Sequence, residues 1–157
     1  MAVVNENSAQ ANAILTGKML AAHKDQARVL ELVFNHTQVV AGDATSEQKL
    51  VKIPAGIFRF HRTLSNIFFS AFGAARVLDI GWLAYVDKNG TAVAASANGL
   101  NDNIDVSAAG TAIIGLAIAV GYKDFESRDG VWITSTVAGG TIPAGATLDG
   151  VVHLTCS

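Results

Sequence analysis

Cysteine occurs once in the 157 residues, as Cys156, and proline only twice. A lone thiol excludes an intrachain disulfide framework and any zinc site built from several cysteines. Charged residues make up 15% of the chain, against roughly 25% in ordinary soluble proteins. The formal net charge is -2, and the densest basic patch is Arg59, His61 and Arg62. A nucleic-acid reader carries a basic stripe with interleaved stacking aromatics, so no nucleic acid is expected as a partner. Runs of about 18 apolar residues are also missing, which leaves no membrane-spanning helix and no membrane partner to expect. The opening MAVVNENSAQANAILTG has neither the basic start nor the long apolar stretch of a secretory signal. Synthesis and first residence in a cytoplasm are therefore expected.

Chemistry-bearing motifs are equally scarce. AGGTIPAG lacks the Lys-Ser/Thr of a P-loop and the G-x-G-x-x-G spacing, and no G-x-S-x-G elbow is present. His23, His36, His61 and His153 are far apart, none with a second ligand at helical or hairpin spacing. Asn101 to Asp105 offers oxygens at alternate positions, yet Val106 and Ala112 stand where a calcium loop needs Gly and Glu. Cys156 has no histidine pattern around it and reads as a small filler. We assign no catalytic residue, no cofactor and no metal ligand, and expect no enzyme.

What remains is a β pattern. Half of the residues are hydrophobic and 15 are glycine, a mixture suited to tightly turned strands. In VWITSTVAGGTIPAGATLDGVVHLTC, Val131, Ile133 and Val137 alternate with Trp132, Thr134 and Thr136. Leu148, Val152 and Leu154 alternate with Asp149, Val151 and His153. Two strands joined as a hairpin through AGGTIPAGAT are expected. Ile-Pro-Ala-Gly occurs also at Ile53 to Gly56, again leading into alternation, with Phe58, Phe60 and Leu64 against Arg59, His61 and Thr63.

Further strands are expected at Leu30 to Asn35, Lys49 to Ile53, Asp79 to Asp87 with a hairpin at Asn89-Gly90 into Thr91 to Ala95, and Ile113 to Val120. Ser96 to Gly110 reads as a long polar loop with one short strand at Asn103 to Val106. Ile67, Phe68, Phe69, Phe72, Val77, Leu78, Ile80 and Trp82 crowd one region and read as core. Three phenylalanines within five positions cannot share one strand face, so some cover an edge or an interface. The expected fold is all-β, an antiparallel β-sandwich or jelly roll of about eight strands over residues 27–157. Residues 1–26 form an extended or partly helical N-terminal arm.

The pieces IPAGIFRFHRTLSNIF, FGAARVLDIGWLAYVDKNGTAVAASAN and VAGGTIPAGATLDGVVHL give the chain, over Leu50 to Leu154, a resemblance to capsid decoration (cement) and other virion structural proteins of tailed bacteriophages. The resemblance implies a β-sandwich or jelly roll, a homotrimer, and the major capsid protein as partner, with the virion surface as location. It carries no catalytic residue across. On this reading the partner contacts are Ile14, Leu15, Met19 and Leu20 in the arm, with Phe68, Phe69 and Phe72 as a second set. Other expectations are a neck, tail or fibre-base component, or a carbohydrate-binding module using Trp82, Trp132, Tyr85 or Tyr122 as stacking platforms.

Overall fold

Period-two alternation puts one side of each strand in the interior and the other in water, and two such sheets face each other here. The computed structural model describes residues 3–15 and 29–156. In chain order these form β1 (Glu6–Asn7), α1 (Ala9–Leu15), β2 (Val29–Thr37), β3 (Glu47–Ile53), β4 (Gly56–His61), a 3-10 turn (Arg62–Leu64) and β5 (Asn66–Phe69). There follow β6 (Val77–Trp82), β7 (Tyr85–Val86), β8 (Ala92–Val93), β9 (Ser96–Asp105), β10 (Gly110–Ile113), β11 (Tyr122–Ser127), β12 (Val131–Ala138) and β13 (Thr147–Cys156).

The first sheet runs β1-β3-β12-β6-β9. In the second, β13 lies between β2 on one side and β4 with β5 on the other, and β11 and β10 pair with β4 and β5. Leaving the two-residue β1 aside and taking β4 with β5, and β10 with β11, as single interrupted strands gives eight columns in the order of a jelly roll.

A bent two-stranded ribbon organises this order. Val29 faces Thr155, Gly42 faces Ile142 and Ile53 faces Val131, so β2-β3 and β13-β12 stay paired as the chain passes from one sheet to the other. At the bend, Gln38 N–H donates to Ala146 O at 2.8 Å and Gly145 N–H to Gln38 O at 2.7 Å. The expected final hairpin is therefore corrected: β12 and β13 belong to opposite sheets, because AGGTIPAGAT turns between layers rather than within one. Both Ile-Pro-Ala-Gly segments make this same crossing, β3 to β4 and β12 to β13, each with its isoleucine buried, Ile53 at 0% and Ile142 at 1% exposed.

The two halves of the bend repeat one turn. Ser46 N–H donates to Asp43 O at 3.1 Å and Ala146 N–H to Pro143 O at 3.2 Å. The third turn residue has positive φ in both, 83° at Gly145 and 70° at Thr45. Only glycine takes that conformation without strain, and a β-branched residue there is costly. Thr45→Gly is accordingly expected to raise stability by about 1 kcal/mol after allowing for glycine's greater unfolded-state freedom. Thermal unfolding should report this as a rise of about 2–4 °C.

Between the sheets Phe34, Phe60, Phe125, Leu50, Ile53, Ile67, Leu78, Ile80, Leu100, Ile114 and Ile133 are fully buried, each worth about 1.5–3 kcal/mol relative to exposure. The buried polar pair on facing strands is satisfied: Ser135 Oγ donates to Gln48 Oε1 at 3.0 Å, and Gln48 Nε2 to Ser46 O at 3.2 Å.

Three other expectations change. Ile113 to Val120 is not a strand: β10 ends at Ile113 and 114–121 is a chain of turns, with Gly115 at φ 99°. The Asn101 side chain fixes it, accepting Gly115 N–H at 2.6 Å and donating to Ile113 O at 2.9 Å. The polar stretch 96–105 is instead an edge strand, β9, paired with β6 through irregular register. The Asn89-Gly90 hairpin forms but keeps only two residue pairs, Tyr85 with Val93 and Val86 with Ala92, apart from both main sheets.

Residues 3–15 pack on this body. β1 joins β3 in parallel, and α1 packs against β2 and β3, the strands at one side of the two sheets. Ser8 caps α1 by accepting Ala11 N–H at 3.0 Å, and its hydroxyl donates to Leu50 O.

Candidate functional site

Alternation along β2 turns Leu30, Leu32, Phe34 and His36 inward and leaves Val29, Glu31, Val33, Asn35 and Thr37 exposed on the outer face of the second sheet. The register carries that face across four columns. Val33 lies beside Val151, Val151 beside Asn66, and Asn66 beside Ile113. In the next row Asn35, Asp149, Phe68 and Thr111 are neighbours. Phe68, Val33 and Ile113 are 52%, 53% and 40% exposed, so with Val151 they make an apolar patch on a rigid sheet.

Polar groups rim it. Asn35 Nδ2 donates to Asp149 Oδ1 at 3.0 Å, and His153 approaches Glu31 at 3.5 Å. Arg59 makes a two-pronged contact with Asp124 at 2.7 and 2.9 Å and stacks on Tyr122 at 4.3 Å. The hydrogen bond from Arg59 pulls the Asp124 carboxyl below its usual range, and the same bond raises the Arg59 guanidinium. An apolar centre with a hydrogen-bonded rim is an arrangement common in surfaces that bind other proteins.

The residues singled out from sequence divide accordingly. Phe68 and Phe69 are adjacent on β5 and so point to opposite faces. Phe68 stands in the exposed patch, while Phe69 is 7% exposed and Phe72 2%, both part of the core. Ile14 and Leu15 close α1, with Leu15 exposed. Met19 and Leu20 lie outside the described residues, as does His23. Val33, Val151 and Ile113 were not singled out; alternation already sets Val33 on the polar side of β2, which is the signal that finds it.

The four aromatic residues considered as sugar platforms have their rings engaged. Lys49 and Lys52 hold ammonium groups 5.5 and 5.7 Å from the Trp132 ring centre, and Lys123 lies 4.5 Å from that of Trp82. Arg59 covers Tyr122, and Tyr85 tilts against Phe125 at 6.3 Å. Among the described residues no three His, Cys, Asp or Glu side chains converge as a metal site, and no helix is long and apolar enough to cross a membrane.

Neither a family model nor a curated protein matches the sequence. Solved structures do match in fold. A chain in the capsid of Ralstonia phage GP4 superposes with a TM-score of 0.68 at 18% identity, over 96% of this chain and 97% of the other. A chain of the cyanophage Pam1 capsid asymmetric unit gives a TM-score of 0.50 at 14% identity, over 88% of this chain and 94% of the other. At these identities the likeness is one of fold, and it extends over nearly the whole of both chains: the sandwich of this protein is the jelly roll found in those phage capsid chains.

Proposed function

We propose that this chain is a non-enzymatic structural component of a bacteriophage virion: a decoration (cement) protein that binds the outside of the major capsid protein lattice as a homotrimer and stabilises the shell. The observation that carries this reading is the end-to-end fold match, 97% of the other chain, with a protein in the GP4 capsid. The exposed Phe68-Val33-Val151-Ile113 patch supports it, since a rigid sheet face with an apolar centre suits a protein partner. Weak contacts repeated over a lattice add up through multivalency, so no reaction centre is needed. A neck, tail or fibre-base component is the second reading, because the same fold serves there and only copy number differs. For the carbohydrate module no observation speaks, given the cations over Trp82, Trp132 and Tyr122.

The test is the number of copies per particle, by quantitative mass spectrometry of purified virions against the major shell protein. Hundreds of copies in a simple ratio are expected. A handful would move the protein to the neck or tail, and absence would overturn the virion reading. In virions carrying Phe68→Ser the copy number should fall sharply, while the purified variant melts close to the parent because the ring is half exposed.

A further inference from the structure

Each hydrogen bond that seats residues 4–8 has a main-chain atom on at least one side. Val4 N–H donates to Ser46 Oγ at 3.0 Å, and Glu47 N–H to Asn5 Oδ1 at 2.9 Å. The Glu6 carboxylate accepts Val39 N–H at 2.8 Å and Val40 N–H at 2.9 Å, one with each oxygen. His36 Nδ1 lies 3.2 Å from Asn7 O, and Ser8 N–H donates to Lys49 O at 2.7 Å. The bonds from residues 4–8 to the body all end between residues 36 and 50.

Nothing in that set depends on which copy of the chain supplies the segment. β1 contributes two parallel pairs, Glu6 with Gln48 and Asn7 with Lys49, and α1 has seven residues, too few to hold a helix without a partner surface. The segment joins β2 through thirteen residues, 16–28, which reach about 45 Å at full extension. The segment covers the seat: Ser46, His36 and Leu50, which bond to it, are 0%, 4% and 0% exposed with it in place. Such a segment docks equally well on a neighbouring copy held within reach, and a closed ring of exchanges leaves every seat filled.

We propose that residues 3–15 are exchanged between copies, so that the seat along β2 and β3 of one chain takes the N-terminal segment of a second copy of the same chain. The inference is independent of where the protein works, since it concerns only copies of this chain.

Its test uses a disulfide. The register that pairs Glu6 with Gln48 sets Asn5 beside Glu47, the Cα spacing a disulfide needs. Full-length chain carrying Asn5→Cys and Glu47→Cys, with Cys156→Ser to remove the exposed native thiol, is oxidised and run without reductant in denaturant. Exchange gives discrete covalent oligomers with a 5–47 linkage identified by peptide mass. A second measurement mixes Asn5→Cys and Glu47→Cys single variants, refolds them together and oxidises them, so that a 5–47 bond can form only between chains. Circular dichroism of each variant confirms that the sheets are intact. An intrachain 5–47 bond alone, with no bond in the mixture, overturns the proposal. So does the absence of any 5–47 bond in either experiment, since the segment then does not occupy the seat.

Discussion

Phe34→Ala is expected to cost about 3–5 kcal/mol, the loss seen when a fully buried phenylalanine is cut back in a core that cannot collapse. Phe34 is 0% exposed and sits on β2, whose only sheet partner among the described residues is β13. Its ring fills the space that Gly150 leaves open on β13, with Cζ 2.5 Å from where a Cβ on that glycine would stand. Removing the ring therefore empties a slot that no neighbouring side chain can enter without moving a strand. Leu30 and Leu32, the other inward apolar residues of β2, are only partly buried, so Phe34 is the principal apolar anchor holding this strand to the second sheet. A domain of this size has about 5–15 kcal/mol in total, and a urea slope of about 1–3 kcal/mol/M turns the loss into a midpoint lower by about 1 M or more. Urea unfolding followed by tryptophan fluorescence measures it. Phe68→Ala supplies the contrast, with an expected cost below about 1 kcal/mol for a half-exposed ring. A Phe34→Ala cost as small as that of Phe68→Ala would mean that β2 is not docked as described.

Much of this arrangement was legible in the residues. Alternation at 30–35, 49–53, 58–64, 79–87, 131–137 and 148–154 placed most of the strands and their inward faces, although β4 ends at His61 and β6 at Trp82, because a period of two leaves no choice about which side meets the core. Layer membership was not legible. AGGTIPAGAT carries the glycines and proline of a tight hairpin, and whether such a corner turns within a sheet or between sheets depends on what its strands meet afterwards. Ile142, buried at 1%, points into the core from the middle of that corner, which a solvent-exposed hairpin tip would not require. IIGLAIAV failed for a related reason: a short apolar run fits a buried strand by composition, yet Gly115 at φ 99° and the two bonds from the Asn101 side chain make it a turn. The polar edge strand β9 lacked alternation because only part of it faces the interior. Of the candidate contact residues, Phe68 was legible as one of a crowded trio, but which of the trio faced out required the register of β5. Val33, Val151 and Ile113 lie 38 residues or more from one another in sequence; only strand pairing brings them together.

Gly150→Val is expected to abolish soluble, folded protein. A Cβ at this position would stand 2.5 Å from Asn66 O, a main-chain atom of the adjacent strand, and 2.5 and 2.9 Å from Cζ and Cε1 of Phe34. The strain is one of space rather than backbone, since Gly150 is not among the glycines with positive φ. Gly145 is the opposite case, with φ 83° and nothing within 4 Å of its absent Cβ, so Gly145→Ala should cost only about 1 kcal/mol of backbone strain. Overpacking a core costs about 1–3 kcal/mol where side chains can adjust and more where a strand must shift. Gly150→Ala, with a single methyl, should fall in or above that range and remain measurable by urea unfolding. The double variant Gly150→Ala with Phe34→Leu separates the two obstacles, because shortening the ring relieves the side-chain contact and leaves the Asn66 carbonyl where it is. Partial recovery relative to Gly150→Ala is expected, with a coupling between the two sites that distant positions would not have. Full recovery would mean that the ring is the whole obstacle and that β5 yields to a methyl group. No recovery would mean that the distance between β13 and β5, fixed by their ladder of hydrogen bonds, determines the residue at 150.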